Sequence, residues 1–359
     1  MLLKFEPRAE PSRTMTYLSP LLAVALMLAS GMLLFWILGK NPLVGFKVFF
    51  LNPLKDQYGI AELFLKATPL MLCAVGLSVG FRANVWNIGA EGQLLIGAVV
   101  GGGLALHFEG SNSPFLLPAM IVAGAIGGML WAAIPALLKT RFNANEILTS
   151  LMLVYIAELM VSWLVHGPWK DPDGFNFPQT KLFQAKALLP VLVQNTRVNF
   201  SLVIAIGALV VGWVFMNRSF LGYQMKVAGQ AENAGRYAGF SAKRSVWFGM
   251  LAGGAMAGIA GICEVAGPIG QLTEHISPGY GFAAMIVAFV GRLTPVGIFF
   301  SSLLMALLYM GGEQAQQYLN LPYSISKVFQ GMLLFFLLGS DVFIHFRLRW
   351  AGRKKVEHR

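Results

Sequence analysis

Long, uninterrupted apolar runs dominate the chain and determine the class of fold that it predicts. A helix needs about 20 mostly apolar residues to cross a hydrocarbon core of about 30 Å, and runs such as 18–38 and 116–138 reach this length. We therefore expect an all-α polytopic membrane bundle of about ten transmembrane helices. The predicted spans are 17–38, 61–81, 88–107, 116–138, 146–165, 200–216, 246–266, 281–291, 296–311 and 325–343.

Composition excludes a soluble protein and indicates how the helices pack. Hydrophobic residues make up 56% of the 359 positions and charged residues only 12%, whereas soluble proteins carry about 25% charged residues. Small residues let helices approach closely in lipid, where burying apolar side chains brings little gain. The 40 glycines therefore predict helix contact faces wherever they recur four residues apart, as at Gly97/Gly101, Gly124/Gly128, Gly249/Gly253 and Gly254/Gly258.

The distribution of Lys and Arg predicts the topology and the division of the chain. The run after residue 16 is too long for the apolar region of a signal peptide, so we expect an uncleaved first span. With the N-terminus inside, roughly two thirds of the basic residues face the cytoplasm. We predict a cytoplasmic tail at 1–15, a transmembrane domain at 16–345 and a basic cytoplasmic tail at 346–359, with both ends inside.

Few residue clusters in the sequence favour an enzyme. The two cysteines and five histidines lack the spacing of metal ligands or of a disulfide framework, so we expect no metal site. No glycine-rich loop followed by Lys-Ser/Thr is present, so the chain is not expected to hydrolyse nucleotide by itself. The net charge of +11 is explained by loops that face anionic lipid, and we expect no nucleic-acid partner.

The most unusual polar segment is 81–102, FRANVWNIGAEGQLLIGAVVGG. An acidic residue at the centre of a span costs about 2.5–3.5 kcal/mol, so Glu91 needs a partner or a wet cavity. Arg82 lies nine positions earlier, about 13.5 Å away along a continuous helix, which is too far for contact. Two interpretations remain open: a broken helix beside a translocation path, or a polar knot that fixes helix packing. The candidate path residues are Arg82, Asn84, Trp86, Asn87, Glu91 and Gln93.

The long inner loop, 217–245, contains a second candidate site. Within AENAGRYAGF, Glu232 and Arg236 have the spacing that lets them pair on one face of a helix while Tyr237 packs. The loop is either an ordinary solvated connection or a rigid element that docks on a partner. Elsewhere, the rings of Trp86, Phe282 and Phe289 can pack against neighbours or stack on a sugar or base.

Several motifs resemble one known family. The string Asn87-Ile-Gly-Ala-Glu91-Gly-Gln93, followed by Leu-Leu-Ile-Gly97-Ala98, resembles the signature of the sugar and nucleoside permeases of ABC importers, a family of ribose-type and branched-chain-type inner-membrane permeases. The segments 234–240 and 279–312 resemble the same family, and NEILTSLMLVYIA at 145–157 resembles its nucleoside-type members. The similarity covers most of the chain from about 60 to 340.

The resemblance implies a non-catalytic permease subunit in a bacterial cytoplasmic (inner) membrane. It implies import of a small neutral polar solute, with a nucleoside favoured over a simple sugar. The implied partners are an ABC ATPase that binds ATP and Mg²⁺, a second permease chain, identical or homologous, and a periplasmic or lipid-anchored solute-binding protein. Glu232, Arg236 and Tyr237 would then belong to the coupling helix.

An ion-coupled secondary transporter is the alternative. It would need Asp, Glu or His relays near the middle of the membrane and no docking element for an ATPase.

Overall fold

A computed structural model describes residues 3–8, 10, 12–111 and 113–350, which are almost entirely helical. Thirteen α-helices lie in the described part of the chain: α1 (Arg13–Ile37), α2 (Pro42–Phe46), α3 (Gln57–Arg82), α4 (Ala90–His107), α5 (Leu116–Phe142), α6 (Glu146–His166), α7 (Ser201–Arg218), α8 (Phe220–Gln230), α9 (Glu232–Tyr237), α10 (Ala242–Glu264), α11 (Tyr280–Val290), α12 (Pro295–Leu319) and α13 (Ile325–His345). Shorter π or 3-10 turns occupy Lys47–Leu51, Asn52–Leu54, Ala185–Ala187 and Val265–Ile269.

The predicted all-α, polytopic membrane fold is confirmed. Eight described helices are long and apolar enough to cross a membrane, namely α1, α3, α5, α6, α7, α10, α12 and α13. The other two predicted spans are α4, whose first turn contains Glu91 and Gln93, and α11. The segment predicted at 281–291 is an 11-residue helix, which rises about 16 Å and covers half of a hydrocarbon core. The chain reaches the start of α11 through the non-helical stretch 270–279.

The chain forms two compact units. The large unit, Pro53–Leu307, has α3, α4, α5 and α10 at its centre. Its core helix α3 is buried along most of its length, whereas α6 and α7 expose most of their apolar side chains. This arrangement is expected in lipid, where an exposed apolar side chain costs nothing and only polar groups have to be enclosed.

Glycines allow α5 and α10 to touch through their backbones. A Cβ added to Gly128 would lie 2.1 Å from the carbonyl oxygen of Gly254, and one added to Gly258 would lie 2.1 Å from that of Gly124. Gly97 of α4 also lies against Gly258, since a Cβ added to Gly97 would be 2.3 Å from the Gly258 Cα. The glycine contact faces predicted from the sequence are therefore confirmed, and three helices meet at Gly258.

The long loop between α6 and α7 is irregular, as is typical of its Pro, Asp and Gly residues, but it is tied to the bundle. The Thr180 amide donates to the Leu272 carbonyl (2.9 Å) and the Phe183 amide to the Gly270 carbonyl (2.8 Å). These bonds supply hydrogen-bond partners to the non-helical backbone that leads to α11. Lipid could not supply them.

An ion pair fastens the end of the same loop. The Arg197 guanidinium donates from Nε and Nη2 to both oxygens of the buried Glu62 on α3, at 2.9 and 2.6 Å. The hydrogen bond to this carboxylate raises the pKa of Arg197 above its ordinary value. Such a two-pronged pair satisfies a carboxylate that would otherwise be costly to bury.

The small unit comprises the described parts of Met1–Asn52 and Leu308–Arg359. Its helices α1 and α13 pack together, and the Ser19 hydroxyl donates to Asp341 Oδ1 at 2.6 Å. An aromatic core joins the two chain segments, with the rings of Phe49 and Phe329 stacked at 4.4 Å.

Strand β1 (Leu3–Pro7) pairs in antiparallel register with β2 (Phe346–Trp350). These strands lie within the tails predicted at 1–15 and 346–359, and the basic residues of 351–359 fall outside the described residues.

Candidate functional site

A non-helical link at residues 83–89 joins α3 to α4 and places most of the candidate path residues in one region. Helix α3 ends where Asn84 adopts a left-handed conformation (φ 57°) and the Val85 amide donates back to the Gly80 carbonyl at 3.0 Å. The backbone then runs without regular secondary structure to Gly89, where α4 begins. Burial alternates along it, since Asn84 and Trp86 are exposed while Val85 and Asn87 are buried.

Two buried side-chain amides, those of Asn87 and Gln93, hold the link against α4. Asn87 Nδ2 donates to Gln93 Oε1 at 2.9 Å, and Gln93 Nε2 donates to Asn87 Oδ1 at 3.1 Å. Asn87 Oδ1 also accepts from the Gly89 amide at 3.0 Å, while the Ser150 hydroxyl of α6 accepts from the Ile88 amide. Buried amides satisfied in this reciprocal way fix a single geometry, because a lost partner leaves a polar group unpaired.

Glu91 caps the short helix α11. Its carboxylate accepts a hydrogen bond from the Gly281 amide at 2.6 Å, and the Ser277 hydroxyl and Gly279 amide also bond to it. A carboxylate at a helix N-terminus satisfies free amide groups and complements the helix dipole. A Cβ on Gly281 would lie 2.2 Å from the Glu91 amide nitrogen, so only glycine allows α11 to approach α4 this closely.

Arg82 does not contact Glu91. Its guanidinium donates to the carbonyl of Leu293 in the α11–α12 turn (2.9 Å) and to that of Met216 near the end of α7 (3.4 Å). Gly229 of α8 lies against the same place, since a Cβ there would be 2.1 Å from the Arg82 carbonyl oxygen. The end of α3 therefore connects the α11–α12 turn with the long inner loop.

Three aromatic rings form an open stack beside the link. Phe81, at the end of α3, stacks on Phe289 of α11 with a centroid distance of 5.1 Å. Trp86 stacks on Phe289 at 5.6 Å, and its indole Nε1 donates to Asn84 Oδ1 at 3.0 Å. Trp86 remains 36% exposed, so one edge of the stack is available to another flat, apolar group.

The inner loop folds into two helices. Helix α8 packs on the end of α3, and the six-residue helix α9 follows it. Arg236 is exposed and Tyr237 is 98% exposed, so the tyrosine does not pack within the chain. Glu232 lies at the start of α9, and its side chain is outside the described part, so its pairing with Arg236 stays a prediction.

The sequence-predicted path residues thus fall into three groups. Asn87, Glu91 and Gln93 are buried, with Asn87 bonded to Gln93 and Glu91 bonded to the start of α11. Asn84 and Trp86 are exposed, and Arg82 bonds to the two backbone carbonyls described above. Sequence analysis missed the distant partners Ser150, Ser277 and Gly281, which come from two other segments of the chain. Among the described residues, no three of His, Cys, Asp and Glu lie close enough to hold a metal ion.

A polytopic bundle with a polar network at the start of two helices is the kind of framework that membrane permeases use. The profile of the family described as the permease component of the branched-chain amino acid transport system matches residues 59–338. The chain belongs to this family.

The chain is similar over nearly its whole length to several ABC transporter permease proteins. The glucose ABC transporter permease protein TsgB13 of Haloferax volcanii is 33% identical, with 96% of this chain and 93% of that protein covered. The nucleoside ABC transporter permease protein NupB of Lactococcus lactis is 29% identical over 91% of this chain and 92% of its own. The guanosine ABC transporter permease protein NupP of Bacillus subtilis is also 29% identical, with coverages of 90% and 93%.

Proposed function

We propose that the chain is the membrane-spanning subunit of an ATP-driven importer and carries a small, neutral, polar solute. A separate ATPase binds ATP and Mg²⁺, a second permease chain completes the path, and a periplasmic or lipid-anchored binding protein delivers the solute. The complex resides in a bacterial cytoplasmic membrane. The exposed helix α9, with Arg236 and Tyr237 between two spans and no packing partner for the tyrosine, is the observation that carries this proposal.

Helix α9 is placed to pass force from a partner to the link. It is joined to α8, whose Gly229 backbone lies against the end of α3, where the 83–89 link begins. Arg82 at the same point bonds to the α11–α12 turn. A push on α9 would therefore act on α3, α4 and α11 together through backbone contacts that are too close to deform gradually.

Removing both exposed side chains of α9 should uncouple transport. In Arg236→Ala/Tyr237→Ala, we expect ATP-driven uptake to fall at least about thirtyfold while the chain remains folded and ATP hydrolysis continues, because docked Tyr and Arg side chains often contribute 2 kcal/mol or more to an interface. The test is uptake measured together with ATP hydrolysis in proteoliposomes that contain the complete transporter. Arg141→Ala/Tyr155→Ala, at exposed positions of α5 and α6, is the matched control. Unchanged uptake per ATP in the α9 variant would reject the docking role.

A nucleoside is the favoured solute, and a simple sugar is second. NupB is named for nucleosides, NupP for guanosine and TsgB13 for glucose. The relatives alone therefore do not distinguish a nucleoside from a sugar. The open edge of the Trp86–Phe289 stack favours a solute with an aromatic ring, since a base stacks there through its whole π face while a sugar offers only its CH groups.

Substitution of Trp86 should separate these two classes. We expect Trp86→Ala to raise the KM of nucleoside uptake about fivefold, because stacking of a base on an aromatic side chain contributes about 1–3 kcal/mol. Trp86→Phe should stay close to wild type. Trp163→Ala removes a more exposed indole from α6, away from the stack, and should leave the KM unchanged. Equal KM values for Trp86→Ala and wild type would remove Trp86 from the path.

A further inference from the structure

A cavity with both basic and apolar lining residues lies between α8 and the start of α10. Its volume is about 430 Å³, and its polar lining includes Ser241, Lys243 and Arg244. Its apolar lining includes Phe240, Trp247 and Leu251. The cavity therefore combines two strong cationic donors with an apolar wall at the end of a transmembrane helix.

An apolar groove continues from this cavity along α10. It has a volume of about 370 Å³ and runs between α3, α7 and α10, with Val75, Ile204, Phe215, Ala252 and Ile259 among its lining residues. Phe248 lines both the cavity and the groove. From Phe248 to Ile259 the helix rises about 16 Å, which matches the thickness of one leaflet, half of a core of about 30 Å.

The charge of the surrounding loop is strongly positive. Residues 217–245 contain one acidic residue, Glu232, and five basic ones, namely Arg218, Lys226, Arg236, Lys243 and Arg244. Within the described part of the chain, neither Lys243 nor Arg244 has a carboxylate at salt-bridge distance. The predicted topology places this loop at the inner leaflet, where anionic lipids attract basic side chains by about 1 kcal/mol each.

We propose that the cavity and the groove together form a binding site for an anionic phospholipid of the inner leaflet. The headgroup phosphate is bound by Lys243 and Arg244, and one acyl chain lies along α10 in the groove. Charge complementarity selects an anionic headgroup over a zwitterionic one, and the continuous apolar groove selects a lipid over a free anion. The bound lipid would pack against both helices that flank α9 and so restrain the inner loop.

The site can be tested on the purified full-length chain without any transport partner. Native mass spectrometry of the delipidated protein in detergent should show dioleoyl phosphatidylglycerol binding at least about tenfold more tightly than dioleoyl phosphatidylcholine, as expected for two basic contacts. In Lys243→Gln/Arg244→Gln this preference should fall to within about twofold. Arg141→Gln/Lys226→Gln makes the same charge change at exposed positions that do not line the cavity, and should keep the preference.

The groove is tested separately. Ala208→Phe fills it from α7 without changing charge, and should weaken binding of dioleoyl phosphatidylglycerol about fivefold while leaving a short-chain (dihexanoyl) phosphatidylglycerol unaffected. Val203→Phe, on an exposed part of α7, is its control.

Three results would overturn the proposal. The first is equal affinity of the wild-type chain for the two dioleoyl lipids, a measurement that needs no variant. The second is displacement of the lipid by inorganic phosphate at matched ionic strength, which would identify a site for a free anion. The third is a disulfide cross-link between two copies of an Ala252→Cys chain after reconstitution, which would show that a second copy of this chain covers the groove.

Discussion

Replacing Gly258 with valine is expected to prevent the large unit from folding. A Cβ at this position would lie 2.1 Å from the Gly124 carbonyl oxygen and 3.2 Å from the Gly128 Cα, and Gly97 of α4 approaches from another side. The neighbours of the added Cβ are backbone atoms of α5, so no rotation of a side chain can relieve the overlap. Even a single methyl group, in Gly258→Ala, should cost about 3 kcal/mol, at the upper end of the 1–3 kcal/mol that is usual for overpacking.

Gly207 provides the matched control for this experiment. It also lies within a transmembrane helix, α7, but a Cβ there would have no neighbour within 4 Å. Gly207→Val should remain monodisperse on size-exclusion chromatography in detergent, whereas Gly258→Val should aggregate. Gly207→Ala should be neutral or stabilising, since glycine is a poor helix former by up to about 1 kcal/mol. A Gly258→Ala protein that unfolds at the wild-type temperature would contradict the packing described for α4, α5 and α10.

Replacing Glu91 with alanine is expected to abolish most uptake while the protein remains embedded and largely helical. The change leaves the Gly281 amide and the Ser277 hydroxyl without their acceptor, while the Gly279 amide keeps its bond to Ser277 Oγ. With about 1–3 kcal/mol for each of the two unsatisfied buried groups, the arrangement of α11 on α4 loses about 2–6 kcal/mol. If that arrangement is needed for transport, uptake falls roughly a hundredfold.

The isosteric variant separates the two contributions of this carboxylate. Glu91→Gln keeps one oxygen acceptor for the Gly281 amide but loses the charge that complements the helix dipole, so its uptake should lie between those of wild type and Glu91→Ala. Glu109→Ala, at an exposed outer position, should transport normally. Wild-type uptake in Glu91→Ala would show that the cap is dispensable and that Glu91 has no role in positioning α11.

Sequence patterns predicted the membrane bundle well because its requirements are local. Apolar runs of about 20 residues and glycines four residues apart each follow from the lipid environment alone. Which glycine faces pair is not local information. The sequence contained four such pairs, and only the structure shows that Gly124 and Gly128 lie against Gly254 and Gly258.

The candidate site shows the same division between local and distant information. A break near Asn87 and an unusual need for a partner at Glu91 follow from residue types within one segment. The Gly281 amide that bonds to Glu91 lies 190 positions away in sequence at the start of α11, and a backbone amide is a partner that no side-chain pattern reveals. The short length of α11 was equally hidden, because an apolar run such as 281–291 does not show where its backbone leaves the helix.

Proteoliposomes that contain the purified chain with its ATPase and second permease provide the most direct test of the central claim, which is that the chain supplies a path and an ATPase supplies the energy. Initial uptake of a radiolabelled nucleoside would be measured with ATP but no ion gradient, and with proton or sodium gradients but no ATP. We predict uptake only in the presence of ATP and the ATPase. Gradient-driven uptake by this polypeptide alone would contradict the account and identify an ion-coupled transporter.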